Sequence, residues 1–496
     1  MLTRESSNAA HILQNAALIL LSLAFLPLDT FILCCSWLLA PWLPSPSLRR
    51  RHIRSTAGFQ SRTVLITGVG MTKGLALARI FFESGHRVVG ADFEPNGALV
   101  CGRVSRSVDK FYSLTRPSQK HGSAHYVFDL LRIIEKEKVD IWVSCSGVAN
   151  AVEDGEAKEA VERHTGCKAV QFDVTTTETL HEKHSFITHT HSLGLTVPET
   201  HIIIDSGSAQ AILLTSGSGS ATDKKFIMKC VGLDDSSRGD MTLLPRSTPT
   251  DTYKHLSRLD ISPQNPWILQ QYIHGAEYCT HSLVIRGQVV AFVACPSAEL
   301  LMHYESLPAD SVLSKAMLKF TQTFAADGGE TFTGHLSFDF LVEDATQQDP
   351  SKIVLYPIEC NPRAHTAVAL FNGTPGLVDA YLSLLAPTSP LDHKPVLVVP
   401  KSRAKYYWIG HDLVTLVLLR ILNLLTGSGT LIACIDGIQE LADYILFWKD
   451  GTYELWDPLP WWWLYHVYWP VQFFNSIVRG RKWSRINVST TKMFAC

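Results

Sequence analysis

Two apolar runs joined by a polar turn constrain this chain more than any other feature. Leu336-Ser337-Phe338-Asp339-Phe340-Leu341 and Ile353-Val354-Leu355-Tyr356 read as buried strands. The acidic and amide-rich stretch between them makes an antiparallel hairpin the expected link. Beyond the second run comes Glu359-Cys360-Asn361-Pro362-Arg363. On an extended chain, residues two apart share a face, so Glu359 and Asn361 project together and Asp339 comes to lie across from Glu359. Three oxygen donors suit a hard cation that completes its shell with phosphate and water: magnesium, with manganese as the alternative. The competing reading is a solvated strand end with chance acids.

This pattern resembles the metal-binding hairpin of the ATP-grasp superfamily, which pairs an acid on one strand with Glu-x-Asn-x-Arg on the next. The resemblance extends upstream. Trp267-Ile268-Leu269-Gln270-Gln271-Tyr272-Ile273-His274-Gly275-Ala276-Glu277 is similar to the family's adenine clamp. It implies that Gln270 reads the adenine amino group, that the backbone at Gln271 and Ile273 runs along its edge, and that Glu277 accepts from the ribose. Lys229 stands at the exit of the strand-like Lys225–Cys230, before a polar loop carrying Arg238. A lysine so placed cradles phosphate oxygens together with backbone amides; a structural lysine paired to an acid is the alternative. Lys183, on a helix expected from Leu180 to Leu193, matches the family's nucleotide-reaching lysine. By the same resemblance Arg363 steadies a phosphorylated intermediate, Lys229, Arg363 and His365 serve catalysis, and His365 and His281 are candidates for substrate contact.

Upstream, Thr63–Thr67 reads as a buried strand leading into Gly68-Val69-Gly70-Met71-Thr72-Lys73-Gly74, a helix, and a second strand ending at Asp92. Strand alternates with helix again through Val139–Ser144, which predicts a Rossmann-like parallel sheet. The glycine spacing misses the dinucleotide fingerprint by one residue. A membrane-bound nicotinamide oxidoreductase using this turn, with Asp92 on the ribose, is one rival function; a catalytically inactive membrane scaffold is the other.

The ends of the chain are apolar. Ala16–Leu43 contains a single charge, Asp29, and precedes Arg49-Arg50-Arg51 and Arg54. That predicts an uncleaved anchor, single-pass or monotopic, with the catalytic part facing the cytosol. Pro27-Leu28-Asp29 leaves room for a helical hairpin dipping into one leaflet. The soluble part is expected to survive removal of residues up to about Thr56. The tail holds Trp461-Trp462-Trp463 and Trp469, followed by Arg479, Arg481, Lys482 and Arg485, a composition fit for the headgroup layer. Pro458, Pro460 and Pro470 are expected to break helices there. A helical domain with a wide apolar core is the alternative. Net charge is −2, which gives nucleic acid no basic surface to bind. The 11 cysteines include no Cys-x-x-Cys pair, as in a reduced, cytosol-facing protein. His181, His184, His189 and His191 crowd together without a cysteine and read as a solvated helix face rather than a zinc site.

Over nearly its whole length the chain resembles the ligases that make mycosporine-glycine. Gly70–Arg79, Cys279–Ser282, Ile358–His365, Tyr407–His411 and Asp457–Pro460 carry that likeness. The expected fold class is α/β (α+β): residues 1–60 an anchor and basic linker, 61–176 a Rossmann-like pre-ATP-grasp domain, 177–387 an ATP-grasp domain, and 388–496 a hydrophobic, aromatic helical tail. The expected activity is an ATP- and magnesium-dependent carbon–nitrogen ligase for secondary metabolism. It would phosphorylate a carboxylate or enol oxygen of a small acceptor and join it to an amino acid or amine, with membrane lipid as a further partner.

Overall fold

The computed structural model describes residues 2–42, 46–118, 122–145, 147, 151–216, 224–230, 240–298, 300–343, 353–387 and 396–496. After the helices α1 (Asn8–Leu39) and α2 (Pro46–Ser55), five parallel strands form one sheet: β1 (Thr63–Thr67), β2 (Arg87–Asp92), β3 (Lys110–Ser113), β4 (Ile141–Val143) and β5 (Lys168–Val170), in the order β3-β2-β1-β4-β5. Between them run α3 (Thr72–Glu83), α4 (Ala124–Glu137) and α5 (Ala151–His164). This is the expected parallel sheet with helices between its strands, which are apolar on both faces because both are covered. Leu65, Val89 and Trp142 pack with Leu130, Ile133 and Val161 of α4 and α5. Val64, Ile66 and Val143 face the other way and join Leu77 and Phe81 of α3.

That second core also takes in Trp408, Leu464, Tyr468, Trp469, Phe473 and Trp483. Much of the aromatic tail therefore faces protein. Arg79 of α3 and Asp457 form a buried ion pair at 3.0 Å that ties the tail to the sheet. Pro460 and Pro470 lie within a helical run from Leu459 to Arg479 rather than ending it. Pro460 occupies the first turn, where no intrahelical N–H is needed, and a π-wound stretch at Leu464–Tyr468 immediately precedes Pro470.

Helix α1 is continuous through Pro27, which overturns the hairpin alternative. It is also stitched to the tail. Asp29 pairs with His466 at 2.8 Å, the Trp462 indole donates to Thr30, the Trp483 indole donates to Asn15, and Ser22 donates to the Tyr465 carbonyl. The sole charge of the apolar stretch is thus answered by protein. Removing the segment would strip these partners from the tail. The helix is nonetheless long and apolar enough to cross a membrane, and Leu13, Leu20, Phe31 and Leu38 on it are exposed.

Residues beyond α5 build further sheets, two of which carry the candidate site residues. After α6 (Val174–His181) and α7 (Lys183–Ser192) come β6 (Thr200–Ile203), α8 (Ser206–Ser216), β7 (Phe226–Cys230), α9 (Pro249–Leu256) and β8 (Trp267–Gln271). These strands form an antiparallel sheet in the order β6-β8-β7, backed by Leu213 of α8 and Leu256 of α9. Strands β9 (Gly275–Ile285) and β10 (Gln288–Pro296), the short β11 (Tyr304–Glu305), α10 (Val312–Asp327), β12 (Gly334–Glu343) and β13 (Leu355–Asn361) follow. Of these, β9, β10, β12 and β13 give an antiparallel sheet ordered β10-β9-β12-β13. Phe320 and Phe324 of α10 and Phe186 of α7 pack on Phe338 and Phe340 beneath it. Its other face belongs to the core shared with α3, so the functional residues sit between the sheets.

Candidate nucleotide and metal site

β12 and β13 pair antiparallel with Asp339 directly opposite Glu359, and with Ser337 opposite Asn361. One step beyond Asp339 the register slips by a residue, so that Phe340 faces Pro357. A bulge of this kind bends the strand and re-aims side chains beside a site. On the other side of β12, Asp339 lies across from Cys279 and Leu341 across from Glu277. Strand alternation therefore puts Asp339, Glu359, Asn361 and Glu277 on one face of the sheet.

The electrostatics of this face fit a cation. Burial, followed by repulsion from Glu359 and Glu277, pushes Asp339 well above the ordinary carboxylate range; Arg363 and Lys183 oppose the shift. Carboxylates crowded in a low-dielectric setting are relieved by a metal ion or by a proton. No group of three histidine, cysteine, aspartate or glutamate ligands occurs among the described residues. The set is two acids and an amide, as suits magnesium held by few protein ligands. His189 lies 3.8 Å from Asp327.

Two lysines reach this face from other elements. The helix expected over Leu180–Leu193 is broken at Glu182, whose carboxylate caps α7 by accepting from the His184 and Ser185 amides. Lys183 becomes the first residue of α7, and its ammonium lies 3.6 Å from Glu359. Lys229, on β7, donates to the Gln270 side-chain oxygen at 2.7 Å. Burial and then the charge of Lys183 lower Lys229 to about 8, against the pull of Glu359 and Glu277.

Gln270 is engaged at both ends, since its amide nitrogen donates to Thr200 at 3.2 Å. It orients Lys229 here, a different use from the adenine contact expected of it. Gln271 exchanges bonds with Glu199: its own N–H donates to the Glu199 carbonyl, and its side-chain oxygen accepts from the Glu199 N–H. Ile273 is buried. Glu277 accepts from the Ser297 hydroxyl at 2.9 Å. Gly275, two residues before it, has no room for a side chain, because a Cβ there would sit 1.9 Å from the Val342 carbonyl oxygen. Arg238 lies outside the described residues.

Past β13 the chain turns tightly, the Arg363 N–H donating to the Asn361 carbonyl at 2.8 Å. The Arg363 guanidinium bonds the Asn361 side-chain oxygen at 2.9 Å, while the Asn361 amide donates to Asp339. Asn361 thus braces Asp339 and Arg363 together. His365 caps the turn that follows, and its N–H donates to His281 Nδ1 at 3.3 Å. Sequence reasoning missed Lys73. Fully buried at the start of α3, it donates to the Ala364 carbonyl at 2.9 Å and so pins the turn bearing Arg363 and His365. Its position directly after a glycine turn was the available signal. His335, also missed, lies four residues before Asp339 on the same strand face and bonds Tyr381 at 2.7 Å.

The Gly68–Gly74 turn has little room for a dinucleotide. Asp92 accepts from the Gly70 and Phe93 amides, each at 2.7 Å, and so is turned into its own loop. The Thr72 amide, at the start of α3, donates to the Ser489 carbonyl of the tail. The Gly70 and Thr72 amides and the Asp92 carboxylate are thus engaged within the protein, and the turn gives the nicotinamide reading no support.

No protein-family model and no curated protein matches this chain. Among solved structures it is similar to an L-amino acid ligase from Bacillus licheniformis (12% identity, TM-score 0.42, covering 63% of this chain and 70% of that one). It is similar also to the biotin carboxylase domain of the Hydrogenobacter thermophilus 2-oxoglutarate carboxylase in complex with MgADP, ADP and bicarbonate (11%, 0.47, 68% and 73%). A third is the Staphylococcus aureus N5-carboxyaminoimidazole synthetase complexed with ADP (15%, 0.42, 62% and 72%).

Proposed function

We propose that this chain is a magnesium- and ATP-dependent carbon–nitrogen ligase of the ATP-grasp type. One observation carries the reading: Asp339 and Glu359 face each other in register, with Lys183 and Lys229 delivered beside them from two separate elements. Paired acids beside paired lysines are what a metal–polyphosphate substrate needs, since each half neutralises one part of it.

In this reading Asp339, Glu359 and Asn361 would hold magnesium, Asn361 also bracing Asp339. Such an ion would neutralise charge that develops on the transferred phosphate. Lys183 and Lys229 hold the phosphates, and the backbone about Gln271 and Ile273 together with Glu277 receives the nucleoside. An acceptor oxygen attacks the γ-phosphorus and ADP departs. An amine then attacks the activated carbon and phosphate leaves, forming the carbon–nitrogen bond. Arg363, anchored on Asn361, steadies the phosphorylated intermediate. These residues act by positioning and electrostatics, without a protein nucleophile.

We place the acceptor among small cyclic enolised ketones or carboxylates and the donor among amino acids, a reading supported by the likeness to mycosporine-glycine ligases. The exposed leucines of α1 and the arginines after it support attachment to a membrane with the site on the cytosolic side. An ADP-release screen over amino acids and acceptors tests the reaction class. Acceptor-dependent ADP release that needs a primary amine is expected; ADP release insensitive to every acceptor and amine contradicts it.

A further inference from the structure

Immediately behind the carboxylates the same sheet face carries polar groups that no described residue satisfies. His281 of β9, Ser337 of β12 and Asn361 of β13 form the next rung, two residues along from Cys279, Asp339 and Glu359. Two residues of strand span about 7 Å. His281 and Ser337 are each fully buried. The His281 Nε2, the Ser337 hydroxyl and the Arg363 Nε, in the turn just past this rung, all lack a hydrogen-bond partner. Buried orphans of this kind each cost about 1–3 kcal/mol, and the register places His281 and Ser337 on adjacent strands of one face with Arg363 just past it.

The polarity of a ligand at this rung follows from the tautomer of His281. A backbone N–H can only donate, so the bond from the His365 amide makes Nδ1 the acceptor and puts the ring proton on Nε2. The orphan atom is then an N–H donor. Arg363 Nε is a donor as well, and the Ser337 hydroxyl has a proton to give. No carboxylate belongs to the rung. Burial pushes His281 down to about 3, which keeps the ring neutral in the tautomer the geometry demands.

We propose that His281, Ser337 and Arg363 form an oxyanion-binding subsite that anchors the acceptor one rung behind the carboxylates. The inference rests on the ligase reading above and deepens it. The anchored oxygen is distinct from the one phosphorylated at Asp339 and Glu359, because a full rung separates the two positions. Lys73 is a positioning residue here: it holds the Ala364 carbonyl and thereby the turn between Arg363 and His365.

The test uses the full chain in mild detergent, loaded with MgADP, and two probe pairs observed by saturation-transfer NMR. Benzoate is compared with benzamide, and ionised cyclohexane-1,3-dione with its neutral 3-methoxy enol ether. The pairs separate carboxylate from enolate as the preferred oxyanion. The anionic member of at least one pair is expected to bind tenfold or more tightly than its neutral partner. Ser337→Ala and His281→Leu should each reduce that preference about tenfold, whereas His281→Gln, which keeps an N–H near the Nε2 position, should retain most of it. Equal binding of anionic and neutral probes, or binding of none, in protein that holds MgADP overturns the subsite and leaves the nucleotide reading standing. Equal losses in His281→Gln and His281→Leu assign the ring a packing role and also overturn it. Failure of the wild-type protein to bind MgADP overturns the ligase reading and the subsite with it.

Discussion

Replacing Asp457 with alanine should loosen the tail and, through it, the site. Asp457 is fully buried and Arg79 nearly so. Its carboxylate accepts from Arg79 Nε at 3.0 Å, the Ser105 hydroxyl at 2.6 Å and the Arg106 amide at 2.8 Å. The remaining Arg79 nitrogens donate to the Thr452 and Asp457 carbonyls. Asp457→Ala would leave a buried guanidinium without its counter-charge, a loss of about 3–5 kcal/mol, or roughly a 150- to 4,000-fold shift in the folded population. Urea unfolding followed by tryptophan fluorescence reads this well, because the tail is rich in tryptophan. A double variant, Arg79→Met with Asp457→Leu, removes both charges and should recover most of the loss. MgADP affinity should fall in the single variant, because α3 also carries Lys73, which pins the turn beside the site. A loss below about 1 kcal/mol, or a double variant as unstable as the single one, would refute the claim that this pair clamps the tail.

Other consequences are open to measurement. Lys229 carries its charge below about 8 and loses it above, so MgADP affinity should hold from pH 6 to 7.5 and weaken by up to about tenfold per unit beyond pH 8; Lys229→Met should be weak throughout and lack that inflection in calorimetric titrations. Glu182→Ala removes the cap of α7, costing about 1 kcal/mol, and should weaken nucleotide binding by freeing Lys183 while leaving the acceptor KM unchanged. Gly275→Ala forces a Cβ against the Val342 carbonyl and should part β9 from β12, seen as faster amide exchange along both strands. Deleting residues 2–42 should yield aggregated or misfolded protein on gel filtration in detergent, since Asn15, Ser22, Asp29 and Thr30 bond the tail.

The hairpin was legible because a period-two pattern leaves few choices: once β12 and β13 pair, Asp339 and Glu359 must share a face. The parallel sheet was legible for a related reason, as short apolar strands between helices leave one common packing. The break at Glu182 was not, since hydrophobic periodicity continues across it and only the capping bonds to His184 and Ser185 mark the new start. The bond between Gln270 and Lys229 was not legible either, because one amide can serve a ligand or a neighbouring lysine and only the placement of β7 brings Lys229 within reach. The tail was legible only in part: Trp461, Trp469 and Trp483 are buried, while Leu425, Ile432 and Phe447 of the same tail are exposed. Trp461, Trp469 and Trp483 suit lipid headgroups and a protein interior equally well, and the contact that decides, Arg79 with Asp457, joins residues far apart in sequence.

The central claim is that the rung of Asp339 and Glu359 binds a magnesium–adenine nucleotide. Calorimetric titration of the full chain with ADP, with and without magnesium, tests it most directly. The account predicts binding that requires magnesium, is weakened at least 100-fold by Glu359→Gln in protein that remains folded, and has no counterpart with NAD. Nucleotide binding indifferent to magnesium, or unchanged in Glu359→Gln, would contradict it.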